Sequence, residues 1–200
     1  GLAVEGFDPS ASAVELSRKW DAPVFNTIPE KKYELIMFWH SLEHTDTPRA
    51  DLKKCLNFLK PGGKFLIAVP NGDSLESWVG KSRWFCYDWP FHRIHFTPKS
   101  LKKMLTGLGL EVKSVDHFNP EYTISSLIQT FLNLFLPKNS LYSALSNRRI
   151  DGSRGKLFGV VLLSALLILL FSPALIIFYL LGLITRRSAA IIVTAVSVKD

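Results

Sequence analysis

The stretch YELIMFWHSLEH, residues 33–44, decides the fold class of this chain. It begins as a mainly apolar run and ends abruptly in polar side chains. A continuous apolar run of this length is typical of a strand that is covered on both faces of a sheet. In open α/β sheets, ligands bind just beyond the carboxyl ends of such strands. The stretch therefore predicts a buried strand that leads into a binding site.

Strand and helix patterns alternate on both sides of this stretch. The predicted strands cover residues 2–8, 22–27, 33–39, 64–70, 111–118 and 189–200, and the predicted helices cover residues 9–20, 47–59, 97–110 and 122–136. Pro61-Gly62-Gly63 predicts a turn after the second helix, and Thr97 with Pro98 predicts the start of the third. Because the connections are short, the pattern predicts an α/β fold with a mainly parallel sheet.

Residues 157–184 form an apolar block without a charge, just before the last predicted strand. One straight helix of about 28 residues would be roughly 40 Å long, enough to cross a bilayer. A single crossing would leave the last strand on the opposite side from its sheet. Ser172-Pro173 offers a break, so we predict a helical hairpin that lies in or on a membrane. The alternative is a hairpin buried in the core or in a dimer interface.

The net charge of +7 is distributed unevenly, with basic residues on both flanks of the apolar block. They are Arg148, Arg149, Arg154, Lys156, Arg186 and Arg187. This placement favours an anionic membrane surface, and the interleaved cations and aromatics of nucleic-acid-binding segments are absent from the sequence. We therefore expect contact with a membrane surface and none with nucleic acid, and a homo-oligomer is a further possibility.

The sequence contains two cysteines, Cys55 and Cys86, and no CxxC motif. Reduced thiols in a cytoplasmic protein are the simplest interpretation. No histidine and cysteine residues cluster at metal-ligand spacing, so the sequence predicts no metal site.

Three segments together resemble the later part of class I S-adenosylmethionine-dependent methyltransferases. They are GFDPSASAVELSRK, YELIMFWHSLEHTDTPRADLKKCLNFLKPGGKFLIAVPN and HRIHFTPKSLKKMLTGLGLEVKSV, within residues 3–115. The resemblance implies a Rossmann-like sheet whose last strand inserts antiparallel beside the fifth, and S-adenosyl-L-methionine as cofactor. It predicts a methyltransferase-like domain of residues 1–120 and 188–200, with residues 121–187 as a helical insertion.

Asp8 follows the first predicted strand and could accept two hydrogen bonds from a ribose diol. The resemblance assigns it to the cofactor ribose, with Pro9 and Ser10 beside the adenine. Asn26 and Thr27 end the next strand and would also contact the cofactor. The alternative for Asp8 is a residue that only caps the following helix.

Trp39 and His40 end the strand quoted above, and the resemblance places them beside the methionine part of the cofactor and the transferred methyl group, with His40 also a candidate catalytic residue. Many relatives have a carboxylate where His40 stands. His92 is the candidate general base, because a histidine titrates near neutral pH and could take a proton from the acceptor. Glu43 and His44 would either cap the next helix or take part in catalysis.

The Gly-rich cofactor loop of the family would lie some tens of residues before Asp8, so we expect an N-terminally truncated methyltransferase domain. The predicted function is methyl transfer to a small-molecule, lipid-linked or glycan acceptor at the cytoplasmic face of the membrane. One alternative is a noncatalytic, membrane-associated module that has lost cofactor binding. Another is a nicotinamide-dependent Rossmann enzyme, which the LEH and LKPGG segments disfavour.

Overall fold

The computed structural model describes residues 3–20, 23–146 and 154–197. The chain divides into two compact units, Gly1–Tyr33 and Glu34–Asp200. The N-terminal unit consists of strand β1 (Gly6–Phe7), helix α1 (Ala11–Arg18) and strand β2 (Val24–Phe25), and the two strands pair in parallel. Helix α1 starts two residues later than predicted, because Ser10 is its N-cap: the Ser10 side chain accepts a hydrogen bond from the Ala13 N–H and so satisfies a free amide of the first turn.

The C-terminal unit contains a four-stranded sheet and six helices. Its strands are β3 (Tyr33–Trp39), β4 (Leu59–Pro70), β5 (Leu110–Asp116) and β6 (Ala190–Ser197), in the order β3-β4-β6-β5. The helices are α2 (Pro48–Leu56), α3 (Leu75–Gly80), α4 (Pro98–Thr106), α5 (Pro120–Phe135), α6 (Ser140–Leu145) and α7 (Arg154–Ile184). Two 3₁₀ turns, Leu42–His44 and Lys81–Arg83, complete the unit.

Strand β6 lies between β4 and β5 and runs antiparallel to both. The sheet is therefore mixed, and the implied insertion of the last strand beside the fifth is confirmed. Strand β4 starts at Leu59, earlier than predicted, so that Pro61-Gly62-Gly63 lies within the strand. Gly62 still has the positive φ of 71° that a turn at this point requires.

The hydrophobic core lies between this sheet and helices α2 and α4. Phe65, Ile67 and Val69 of β4 are fully buried and are opposite Ala195, Val193 and Ile191 of β6. Leu52 of α2 and Leu101 and Leu105 of α4 cover them. Burying each such side chain contributes about 1.5–3 kcal/mol, so the sheet centre is the most strongly stabilised part of the chain.

The predicted hairpin over residues 157–184 is wrong, because α7 is one continuous helix with Pro173 inside it. Serine and proline both occur in turns, but Ser172-Pro173 stands among helix formers such as Leu170, Ala174 and Leu175 and has no adjacent glycine or asparagine to complete a reversal. The Ser172 hydroxyl donates to the Leu169 carbonyl at 2.9 Å, so its hydrogen bond is also made within the helix. Pro173 thus removes one backbone donor without ending the helix.

Helix α7 carries its apolar side chains on an exposed surface. Within the segment Lys156–Ile184, the most apolar 18-residue window has a mean hydropathy of 2.9 and is only 6% buried, and by length and composition the segment could cross a membrane. Phe171 contacts α5, with its ring centroid 5.2 Å from that of Phe131 and 6.1 Å from that of Phe135. The helix therefore packs on the unit through one side and leaves most of its surface uncovered.

Candidate functional site

The predicted cofactor residues of the N-terminal unit lie at one edge of its small sheet. Asp8 and Pro9 follow β1, and Asn26 and Thr27 follow β2. Because β1 and β2 are parallel, their carboxyl ends meet at the same edge. Asp8 Oδ1 accepts a hydrogen bond from the Ser10 N–H at 2.8 Å, which supports the start of α1. Asp8 therefore helps to cap helix α1. Its contact with the cofactor ribose stays a prediction.

In the C-terminal unit, Trp39 and His40 lie at the carboxyl end of β3, as predicted. The predicted burial of this strand on both faces is wrong, because β3 lies at the edge of the described sheet and Leu35, Met37 and Trp39 are exposed. The backbone N–H of His40 donates to the Ala68 carbonyl at 2.9 Å, and His40 has a positive φ of 47°. This conformation is uncommon outside glycine and concentrates at functional sites. It turns the chain from the strand into the 3₁₀ turn Leu42–His44.

The His40 ring is held by groups from helix α5 and the loop before it. It stacks on the Tyr122 ring, with centroids 3.7 Å apart and an interplanar angle of 12°. Asn119 Nδ2 lies 3.5 Å from His40 Nε2, and His40 Nδ1 lies 3.6 Å from Glu43 Oε1. His40 is thus a well-packed, largely buried side chain, and its predicted catalytic and cofactor roles stay predictions.

The 3₁₀ turn is joined to the aromatic loop that carries His92. The backbone N–H groups of Arg93 and Ile94 both donate to the Glu43 carbonyl, at 2.8 and 3.2 Å. His44 Nδ1 is 3.0 Å from the Phe91 carbonyl oxygen. These bonds bring two segments that lie far apart in the sequence into contact.

As a result, Glu43, His44 and His92 come together, and one possible ligand atom of each lies within 4.8 Å of the others. Glu43 and His92 are buried, whereas His44 is exposed. The prediction of no metal site rested on spacing within short motifs. It missed this cluster because Glu43 and His44 are almost fifty residues from His92, and no local motif signals their approach.

A second polar cluster lies beneath α5. The Ser126 hydroxyl donates to Glu76 Oε2 at 2.7 Å and lies 3.4 Å from Cys86 Sγ. Burial raises the pKa of Glu76 to about 8, although the Ser126 hydrogen bond opposes the shift. Burial likewise raises the pKa of Cys86 to about 12 and raises that of Tyr122. At neutral pH these groups are protonated, so Cys86 is not a reactive thiolate.

A pocket of about 310 Å³ opens beyond the carboxyl end of β4. Its lining includes the aromatic rings of Trp78, Trp84, Tyr87 and His95 and the cationic groups of Lys81 and Arg187. Arg187 pairs with Asp73 at 3.2 Å, and its backbone carbonyl accepts a hydrogen bond from the Leu75 N–H at 2.9 Å. Since Arg187 comes three residues after α7, the pocket lies where the apolar helix joins the sheet.

Residues 1–115 match the family model described as a methyltransferase domain. The chain belongs to the methyltransferase-domain family. This confirms the resemblance to class I S-adenosylmethionine-dependent methyltransferases, and with it the predicted enzyme family. No curated protein sequence matches this chain.

Several solved structures align with this chain, and those with the higher TM-scores share its fold. A S-adenosylmethionine-dependent methyltransferase from Archaeoglobus fulgidus aligns with a TM-score of 0.53 and 18% identity, covering 96% of this chain and 75% of its own. A putative sarcosine dimethylglycine methyltransferase from Galdieria sulphuraria aligns with a TM-score of 0.57 and 12% identity, covering 98% of this chain and 70% of its own. A possible histamine N-methyltransferase from Thermotoga maritima aligns with a TM-score of 0.47 and 20% identity, covering 57% of this chain and 59% of its own. The chain thus spans between 59% and 75% of these proteins' lengths.

Proposed function

We propose that this protein transfers a methyl group from S-adenosyl-L-methionine to a small-molecule, lipid-linked or glycan acceptor at the cytoplasmic face of a membrane. The observation that carries this proposal is the exposed apolar surface of α7, which ends beside an aromatic and cationic pocket. The family supplies the reaction class, and these two features concern the acceptor and its location.

The exposed surface of α7 supports contact with lipid. Leu169 and Leu170 are 74% and 73% exposed. Exposing apolar side chains to water costs free energy, and burying them among lipid acyl chains would remove that cost. Lys156 precedes the apolar run and Arg186 and Arg187 follow it, where anionic headgroups would attract them. Arg148 and Arg149, and the side chain of Arg154, lie outside the described residues.

The elements on both sides of α7 favour a peripheral or monotopic placement over a single crossing. Helix α6 precedes α7 and contacts both it and α5. Strand β6 follows α7 and pairs with β4 and β5 in the central sheet. Because both neighbours of α7 belong to the same compact unit, we propose that the helix lies in the membrane surface and holds the unit against it.

The pocket beside Arg187 is the proposed acceptor site. The faces of Trp78, Trp84 and Tyr87 suit stacking against a sugar ring or an apolar ring. Lys81 and Arg187 suit a phosphate or carboxylate of the acceptor. An acceptor that is anchored in the membrane would reach this pocket directly from the end of α7.

For the cofactor, we propose that Asp8 binds the ribose, and that Pro9, Ser10, Asn26 and Thr27 line the adenine. Trp39 and His40 would contact the methionine part. The parallel β1–β2 edge supports the first assignment, because it presents the Asp8 carboxylate where open α/β sheets bind ligands.

Calorimetric titration of S-adenosylhomocysteine into the full chain tests cofactor binding. We expect saturable binding that Asp8→Ala weakens by about 1–3 kcal/mol, the scale of hydrogen bonds to a charged group. Glu15→Gln, an exposed acid of α1 in the same unit, is the matched control and should bind like the wild type. If the wild type fails to bind, the noncatalytic membrane module becomes the better interpretation.

Cosedimentation with phosphatidylglycerol vesicles tests the membrane contact. The double variant Leu169→Asp and Leu170→Asp should lose most of its binding, because each buried carboxylate opposes insertion. Leu16→Asp, which adds a carboxylate to the exposed surface of α1, should bind like the wild type. Equal binding by all three proteins would mean that α7 does not enter the vesicle surface.

A further inference from the structure

The strongest unassigned feature is the cluster of Glu43, His44 and His92 at the carboxyl end of β3. Its three possible ligand atoms come from two segments that the Glu43 carbonyl holds together through the backbone of Arg93 and Ile94. A carboxylate and two imidazoles form a donor set that zinc and similar divalent cations prefer.

Both histidines have one ring nitrogen already engaged. His44 Nδ1 is 3.0 Å from the Phe91 carbonyl oxygen, and His92 Nδ1 is 2.7 Å from the Cys86 carbonyl oxygen. A carbonyl oxygen can only accept a hydrogen bond, so Nδ1 carries the proton in both rings. The Nε2 lone pairs are therefore available, which is the arrangement that orients histidine ligands in metal sites.

The Glu43 carboxylate provides an independent observation. Glu43 is 1% exposed, and neither of its side-chain oxygens has a hydrogen-bond partner among the described residues. Its nearest cationic candidate is His40 Nδ1 at 3.6 Å, which exceeds hydrogen-bond distance. A buried carboxylate without a partner is costly, and a bound cation would remove that cost.

We propose that Glu43, His44 and His92 bind one divalent transition-metal ion of the zinc class. Bonds of about 2.0–2.1 Å in a tetrahedral site place ligand atoms about 3.3 Å apart. The candidate ligand atoms lie within 4.8 Å of one another, so metal binding would bring them closer together by up to about 1.5 Å. Three protein ligands leave one coordination position open.

His40 lies beside the Glu43 carboxylate and would limit its movement by packing against it. Asn119 Nδ2 can donate only, so its approach to His40 Nε2 makes that nitrogen the acceptor and leaves the proton on Nδ1. Nδ1 then faces Glu43 Oε1. The positive φ of His40 and its stacking on Tyr122 fix the ring in this position.

A metal ion here changes the assignment of His92. The Nε2 lone pair that would take a proton from the acceptor binds the metal instead, so His92 becomes a ligand and not a general base. The open position would hold water or an oxygen of the acceptor. This last role rests on the proposed function, whereas metal binding itself does not.

Titration of Zn²⁺ into the metal-stripped full chain, followed by calorimetry, tests the site without any methyl-transfer assay. We expect one ion per chain. His44→Gln or His92→Gln removes a ligand and should weaken Zn²⁺ binding by at least about 100-fold. Replacing a residue that only hydrogen-bonds to a metal ligand already lowers metal affinity by about 10–100-fold. His44 is exposed, so this variant leaves the core intact.

His117→Gln is the matched control, because His117 lies outside the cluster and bonds to Ser188. It should bind Zn²⁺ like the wild type. Co²⁺ provides a second readout, since its visible absorption reports tetrahedral coordination and should disappear in Glu43→Gln and His44→Gln. Absence of one-to-one Zn²⁺ binding, or equal binding by the His44 and His117 variants, would overturn the proposal.

Discussion

Strand β4 and helix α7 have similar apolar side chains and opposite environments. Phe65, Ile67 and Val69 of β4 are fully buried between sheet neighbours and helices, whereas 6% of the most apolar window of α7 is buried. By composition alone, both segments are typical of a protein interior. The comparison shows that apolar composition identifies a segment that must leave water, while the tertiary structure decides what covers it.

The physical reason lies in the partners available to each segment. Residues of β4 pair with β6 through the backbone and are covered by α2 and α4. Helix α7 satisfies its backbone hydrogen bonds internally and so needs no partner strand. Its contact with α5 covers one side, and the rest of its surface is available to lipid.

Truncation of matched aliphatic residues in the two segments should give the largest contrast. Ile67→Ala should lower the free energy of unfolding by about 2–5 kcal/mol through lost burial and a cavity. Leu169→Ala, on exposed α7, should change it by less than about 0.5 kcal/mol. Urea denaturation followed by circular dichroism measures both. Similar losses would mean that α7 is covered in solution, for example by a second copy of the chain.

The buried acid of α3 should make stability depend on pH. Burial raises the pKa of Glu76 to about 8, so between about pH 4.5 and 8 the native state keeps a proton that the unfolded state has lost. The free energy of unfolding should therefore fall as pH rises through this window and level off above it.

Glu76→Gln should abolish that slope and exceed the wild type in stability at pH 8.5, by on the order of a few kcal/mol. The exposed acid Glu121 of α5 provides the control, and Glu121→Gln should keep the wild-type slope. Urea denaturation at a series of pH values makes the measurement. A wild-type curve without a decline in this range would contradict the burial argument for Glu76.

The contact between α7 and α5 should contribute less than the sheet core. Phe171→Ala removes two aromatic contacts and should cost about 1–2 kcal/mol, given about 0.5–1.5 kcal/mol for an aromatic pair. Phe158→Ala, at a 70% exposed position of the same helix, should cost almost nothing. Thermal or urea unfolding distinguishes the two. If they behave alike, α7 does not dock on α5 through Phe171.

The smallest effect concerns a polar atom on the covered side of α7. Ser164 is buried and its hydroxyl has no hydrogen-bond partner among the described residues. Ser164→Ala should stabilise the protein by about 1 kcal/mol, because it removes an unsatisfied buried group. Ser172→Ala, whose hydroxyl donates to Leu169, should give no gain. Loss of stability in Ser164→Ala would show that this hydroxyl has a partner in solution.

Much of the secondary structure could be predicted from local patterns. The capping box at Thr97 and Ser100, with Pro98 in the first turn, determines the start of α4 regardless of the rest of the chain. The strand at Tyr33–Trp39 followed from its apolar run, but its predicted burial on both faces did not, because an apolar run does not show whether a strand lies at the edge of its sheet. The hairpin prediction failed because Pro173 was interpreted as a chain reversal, whereas a long apolar helix accepts one internal proline.

The candidate site could be predicted only in part. Asp8, Trp39 and His40 were predicted as cofactor residues because they lie at strand ends, which are visible in the sequence, and these roles stay predictions. The meeting of Glu43 and His44 with His92 was not predicted, because it depends on hydrogen bonds from Arg93 and Ile94 to one carbonyl. Backbone contacts between distant segments leave no signal in residue spacing.

The sequence by itself determined the α/β class, the methyltransferase family and the presence of one long apolar segment, since these depend on local periodicity and on motifs of adjacent residues. The tertiary structure alone decided that β6 lies between β4 and β5, that α7 is one exposed helix, and that three ligand-type side chains meet beside β3. These features depend on which surfaces pack together, and packing is a property of the whole chain.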